Sequence, residues 1–312
     1  WHGICDFLSH HELEEIGLPA SEIQKEYEEI SKRIKLTDQM KLDIHSRLIF
    51  ESSKKHTNFA STVYRVPLAF KYRMGSFVED FKKNKNFTYI PNHVVTRVKD
   101  KTKFVEVQSF SINTLRESTI SCRYVILAAG SINTTRILLK SFNLFNYKTT
   151  FLTKAQYINV CLHPRILFKK NKQVSSSIKK TRFGQIVMYS NEIEQGLGSF
   201  FIQFYKFNPV AINKALKYIP LPTFVARPLL SIFVPLIVIA DVRFPSFESK
   251  KKFLVLRKEK SKSDILEISF KESRRELWAY KDRLSKIDKQ LRSLGLFRFT
   301  IVNGLTAPHY AG

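Results

Sequence analysis

The stretch Arg123-Tyr-Val-Ile-Leu-Ala-Ala-Gly-Ser-Ile-Asn-Thr-Thr-Arg-Ile-Leu-Leu-Lys-Ser141 decides the fold. Tyr124 to Ala129 is an apolar run without charge, which predicts a short strand covered on both faces. Ala128, Ala129 and Gly130 are small, so a backbone or a ligand can approach closely there. Beyond the glycine, Ile132, Arg136 and Leu139 recur at helical spacing, with Ile137 and Leu138 beside them. A strand, a glycine turn and a helix in that order is where an open parallel sheet holds a cofactor. The same pattern also serves plain strand-turn-helix packing, and the physics of the segment leaves both readings open.

Ala128-Ala129-Gly130-Ser131, Thr134-Thr135 and Leu138-Leu139-Lys140-Ser141 resemble a segment of the glucose–methanol–choline oxidoreductases, which are FAD-dependent alcohol oxidases and dehydrogenases. The Thr-Thr form is closer to the bacterial members. Thr135 stands where many members carry proline, and Phe142-Asn143-Leu144 where many carry Gly-x-Gly. Both ends of the chain resemble the same family. Trp1-His2-Gly3 is similar to a loop that lies against the flavin, and Leu18 to Ile30 to the helix that follows it. Ala307-Pro-His-Tyr-Ala-Gly312 is similar to the His-x-x-Gly segment that carries the catalytic base.

The resemblance implies an α/β fold, α+β in part. It would be an incomplete FAD-binding doubly wound domain with an inserted, mostly antiparallel substrate domain. Residues 1–150 would form the FAD domain, 151–300 the substrate domain, and 301–312 a return to the FAD domain. It implies that His309 is the catalytic base. Trp1, His2, Gly3, Val95, Ala129, Gly130, Thr134 and Tyr310 would contact FAD, Val95 through its backbone. A strand valine with no such role fits the same residues. The partners implied are a small-molecule alcohol or sugar and an electron acceptor of unspecified kind.

No Gly-x-Gly-x-x-Gly occurs. Gly196-Leu-Gly198 continues into Ser-Phe-Phe with no helix to follow, a poor cradle for pyrophosphate. The family carries that fingerprint upstream of its Trp loop. The chain is therefore read as the middle of a longer protein, itself expected to be inactive and to bind FAD weakly. Its 10 glycines are few for a flavoprotein of this length.

The formal charge of +25 raises nucleic acid as a partner. The basic residues are scattered pairs such as Lys82-Lys83 and Lys179-Lys180, without a zinc spacing or a helix-turn-helix pattern, so no specific nucleic-acid partner is expected. A non-enzymatic or degenerate member of the fold, holding an anionic polymer or membrane surface, is the alternative function. Cys5, Cys122 and Cys161 form no pair of useful spacing, which fits a reducing, cytoplasmic setting. His10-His11-Glu12 lacks a third ligand nearby, so no metal is expected. Phe224 to Ala240 is apolar, but Arg227, Pro228 and Pro235 interrupt it. It predicts a helix or loop leading into a buried strand at Leu236–Ala240, ended by Asp241, with a peripheral membrane contact preferred over a span.

Helices are expected around the Ile23, Tyr27, Ile30, Ile34 stripe, capped by Ser21 with Gln24, and around Met74, Phe77, Val78 and Phe81. Leu277, Tyr280, Leu284, Ile287, Leu291 and Leu294 predict an amphipathic helix stopped by Gly295. Lys214 to Tyr218 is weakly helical. Strands are expected at Phe87–Ile90, Val94–Lys99, Lys103–Phe110, Ile166–Lys169, Gln185–Tyr189, Phe200–Tyr205, Phe253–Arg257, Ile265–Phe270 and Leu296–Val302.

Overall fold

The structure is a computed structural model. It describes residues 13–14, 17–37, 42–55, 61–69, 74–153, 155–168, 184–190, 200–206, 222, 224–225, 228, 233–244, 251–258, 264–271, 273–303 and 310–311. Along the chain, α1 is Ala20–Arg33, β1 Leu36–Thr37, α2 Ile44–Ser53, β2 Thr62–Arg65, β3 Leu68–Ala69 and α3 Met74–Lys82. Then come β4 His93–Asp100, β5 Val105–Ser111, β6 Glu117–Cys122 and α4 Ser131–Ser141. β7 Lys148–Thr150, β8 Leu152–Thr153 and β9 Ala155–Leu162 precede a 3-10 turn at Pro164–Phe168. β10 Ile186–Ser190 and β11 Phe200–Lys206 follow, and a 3-10 turn at Val234–Leu236 leads into β12 Ile237–Phe244. The chain continues with β13 Lys252–Arg257, β14 Ile265–Phe270, α5 Arg274–Ser293, β15 Phe297–Asn303 and β16 Tyr310–Ala311. The protein is a mixed α/β chain built on antiparallel sheets.

Two compact units divide the chain. The first comprises Trp1–Phe77, Gln156–Phe244 and Lys281–Leu305. Its six-stranded sheet has the order β15-β9-β12-β11-β10-β2. Strand alternation sorts its side chains onto two faces. Ile186, Met188, Ile202, Phe204, Val242 and Phe244 share the closed face and are buried. There Phe244 meets Tyr157 ring to ring at 6.0 Å, and the Arg283 guanidinium lies over the Phe244 ring. Helix α5 buries Leu284, Ile287 and Leu291 of the expected stripe, whereas Leu277 is exposed. Gly295 ends it at φ +83°. A Cβ there would sit 2.8 Å from Arg165 Nε, so both the left-handed backbone and the close side chain favour glycine. Asp43 caps α2: its Oδ1 accepts from Ser46 N at 3.0 Å and its Oδ2 from Ser46 Oγ at 2.8 Å.

The second unit comprises Val78–Ala155, Pro245–Tyr280 and Thr306–Gly312. It holds the meander β4-β5-β6 and the sheet β14-β13-β7. The turn between β4 and β5 spans Lys101–Phe104, with Lys101 N donating to the Phe104 carbonyl at 2.9 Å and Thr102 at φ +66°. Helix α4 packs on the meander because Arg97 serves its C-terminal end. The guanidinium donates to the Lys140 carbonyl through Nε at 3.0 Å and Nη2 at 2.7 Å, and also to Asn143 Oδ1. Ser141 Oγ in turn accepts from Val98 N at 2.9 Å. At the start of α5, Ser273 and Glu276 make a reciprocal capping box. Glu276 also takes a hydrogen bond from the buried Lys252 at 2.5 Å.

Several expectations need correction. Tyr124–Ala129 forms no strand: Tyr124 is 82% and Ile126 92% exposed. The residues are strand-like, but among the described residues no ladder partner lies beside them to complete their backbone bonds. Phe87–Ile90 is likewise irregular and exposed, with the Phe87 ring tilted against Phe81, their centroids 5.4 Å apart. Pro164 starts a 3-10 turn where a strand was expected over Ile166–Lys169. The Ser21–Gln24 box does not form: α1 starts after Pro19 without a side-chain cap, and none of its residues is buried. Asp241 does not end its strand, which runs on to Phe244. In α4 the buried residues are Thr135, Ile137 and Leu139, while Leu138 is exposed.

Candidate functional site

The glycine turn is as strained as the sequence requires. Gly130 sits at φ +78° and ψ +155° at the N-cap of α4, a backbone state other residues rarely adopt. Its carbonyl accepts from Thr134 N at 2.8 Å, which begins the helix. Gly130 has no side chain to cap α4, and a Cβ added to it would meet nothing within 4 Å. The N-terminal end of α4 therefore opens onto space, with the positive end of the helix dipole behind it. Asn133 Nδ2 reaches back to the Ala129 carbonyl at 3.4 Å.

Thr134 is half-buried in the first turn of α4. Val95 lies in β4 opposite Ser109, beside a register shift between Val95 and Arg97. A bulge of this kind frees local backbone groups from the ladder, which suits a backbone contact. Tyr310 lies in β16, opposite Thr153 of β8, and β16 also adjoins α4. Trp1, His2, Gly3 and His309 lie outside the described residues, as do His10-His11-Glu12, Gly196-Leu-Gly198 and Lys214 to Tyr218. Val95, Ala129, Gly130, Thr134 and Tyr310 all belong to the second unit. Among the described residues no cluster of His, Cys, Asp and Glu could hold a metal ion. Cys122 and Cys161 are free thiols, and burial pushes Cys161 up to about 12, which leaves it inert.

A polar cluster in the first unit had no sequence signal. The registers of β2, β10, β11 and β12 set Tyr64, Val187, Gln203 and Asp241 in one row on the more open face of the sheet. Gln156 of β9 extends that row by donating from Nε2 to Asp241 Oδ1 at 2.8 Å. Arg243, two residues along β12, donates to Asp241 Oδ2 through Nη2 at 2.7 Å and Nε at 3.2 Å. Phe201 lies opposite Arg243, and Tyr205 one position beyond Gln203 on the same face. Gln203 Nε2 donates to the Gly184 carbonyl at 3.2 Å. Asp241 is 1% exposed, whereas Gln156, Gln203, Tyr205 and Arg243 are half-buried. Burial raises the Tyr205 phenol, the Asp241 carboxylate adds to that, and Arg243 opposes it; the hydroxyl stays protonated.

No protein-family model matches this chain, and no curated protein matches it. Among the described residues no helix is long and apolar enough to cross a membrane.

Proposed function

We propose that this protein is an FAD-dependent oxidoreductase that oxidises an alcohol, with His309 as the base. The observation that carries the reading is the Gly130 turn. It combines a left-handed glycine, an uncapped start to an 11-residue helix and open space where a side chain would stand. A polar edge of FAD fits such an end, where backbone N–H groups and the helix dipole favour an acceptor or partial negative charge. Ala129, Gly130 and Thr134 would hold it, and Val95 would present backbone to the adenine. Trp1, His2, Gly3 and Tyr310 are proposed for the flavin ring. The doubly wound arrangement belongs with this proposal, because a neighbouring strand would cover Tyr124 and Ile126.

FAD, when bound, supplies the hydride acceptor. His309 takes the hydroxyl proton of the alcohol, and an imidazole is suited to that because it titrates near neutral pH. His309→Ala should leave FAD bound and slow flavin reduction by about 10²–10⁴-fold. Anaerobic stopped-flow reduction measures it. Reduction at an unchanged rate would remove His309 from the chemistry.

A further inference from the structure

Trp278 of α5 is 71% exposed, a large ring standing in water. Helix α5 is one continuous element, Arg274–Ser293, so its spacing fixes which residues share a face. Tyr280, Leu284, Ile287 and Leu291 turn to the core. Arg274, Trp278, Lys281, Ser285, Lys289 and Arg292 recur at steps of three and four in a second row, and all of them face solvent. Arg275 and Leu277 lie beside Trp278 and are exposed as well. The carboxylates of the helix do not neutralise this row. Glu276 is buried on Lys252, Asp288 is buried against Arg292 and Arg298, and Asp282 pairs with Lys286 at 2.9 Å. Among the described residues Arg274, Arg275, Lys281 and Lys289 have no carboxylate partner. Helix stability does not account for Arg274 and Arg275, because cations in a first turn oppose the helix dipole.

Unneutralised cations around one exposed indole match the surface of an anionic bilayer. Lipid phosphates meet the cations, and the indole sits at headgroup depth, where a ring with an apolar body and one N–H donor is best placed. Leu277 adds aliphatic surface for the acyl chains. Nucleic acid fits less well: a duplex hides its bases, and a single strand stacks on successive aromatic rings, of which the solvent face of α5 has one. The formal charge of +25 adds long-range attraction to the same anionic surface and repels a second copy of the chain. We infer that the solvent face of α5 docks on a bilayer of anionic phospholipid, with Trp278 inserted at headgroup level and Arg274, Arg275, Lys281 and Lys289 on the lipid headgroups. Docking needs no flavin and does not rest on the oxidoreductase reading.

The test is co-sedimentation of the whole chain with vesicles of phosphatidylcholine alone and of phosphatidylcholine mixed with phosphatidylserine. Wild type is compared with Trp278→Ala, which keeps the charge, and with Lys281→Gln plus Lys289→Gln. Lys82→Gln plus Lys83→Gln removes the same charge from the end of α3 as a control. All of these side chains are exposed, and thermal melts verify that each variant folds. Wild type should bind the phosphatidylserine vesicles and leave the neutral ones. Trp278→Ala and the α5 lysine pair should each weaken binding about tenfold or more, and the α3 pair by about twofold at most. No binding to phosphatidylserine vesicles, equal binding to neutral ones, Trp278→Ala binding as wild type does, or equal losses from the α3 and α5 pairs would overturn the inference. So would tighter binding to a single-stranded oligonucleotide that Trp278→Ala abolishes, which would give the face to nucleic acid.

Discussion

Nδ1 of His45 and Nδ1 of His163 lie 3.3 Å apart inside the first unit, both rings buried. One proton can sit between them, which ties α2 to the end of β9. The His163 backbone N–H also donates to the Leu236 carbonyl at 2.8 Å. Burial lowers His45 to about 4; Asp43 and the Pro235 carbonyl oppose that, and Lys206 adds to it. Burial lowers His163 to about 3, with His45 and Arg165 pushing the same way.

This pair should make the unit acid-sensitive. Both histidines have folded pKa values below the unfolded value of 6.5, so below that pH the unfolded chain binds more protons. Their contribution is complete above 6.5 and is lost as pH falls toward about 4 and about 3. Within that window each histidine costs about 1.4 kcal/mol per pH unit. Urea melts at a series of pH values should show this slope, and His45→Gln with His163→Gln should flatten it.

Gly184 is required for a different reason. A Cβ there would lie 1.6 Å from the Phe204 carbonyl oxygen, a backbone atom fixed in β11. Gly184→Ala should cost about 3 kcal/mol or more, because the strand itself must move. Thermal melting of the variant measures it. An unchanged midpoint would contradict this packing.

The buried Lys252–Glu276 pair anchors the start of α5 in the second unit. Burial raises the Glu276 carboxyl, but the Lys252 hydrogen bond and the Ser273 backbone and hydroxyl outweigh it and leave the group below its usual value. Removing one partner strands the other charge. Lys252→Met should therefore destabilise by about 3–5 kcal/mol, and the double change Lys252→Met with Glu276→Gln by less. Denaturant melts of the single and double variants, taken as a cycle, measure the difference.

The parts of this fold that were legible in sequence are those whose pattern and neighbours agree. Helix α5 could be read because Tyr280, Leu284, Ile287 and Leu291 recur on one face and Gly295 stops it. Strands β4 and β5 could be read over Val94–Lys99 and Lys103–Phe110, although β4 runs on through Asp100 and β5 starts at Val105. Tyr124–Ala129 could not, because a strand exists only with a neighbour to complete its ladder. Asp241 reads in sequence as a strand end, since its partners Gln156 and Arg243 come together only in the folded sheet. The sequence could locate Gly130, because its conformation is local. It could not locate the Asp241 row, because that row is assembled from four strands by register alone.

The most direct measurement is the flavin content of the purified protein, for wild type and Gly130→Val. The account predicts a yellow wild-type protein with a flavin spectrum and close to one FAD per chain, together with loss of that FAD in the variant, whose branched side chain suits neither the left-handed backbone nor the close approach of the cofactor. A colourless wild type that takes up no added FAD, or a variant that holds FAD as tightly as wild type, would contradict it.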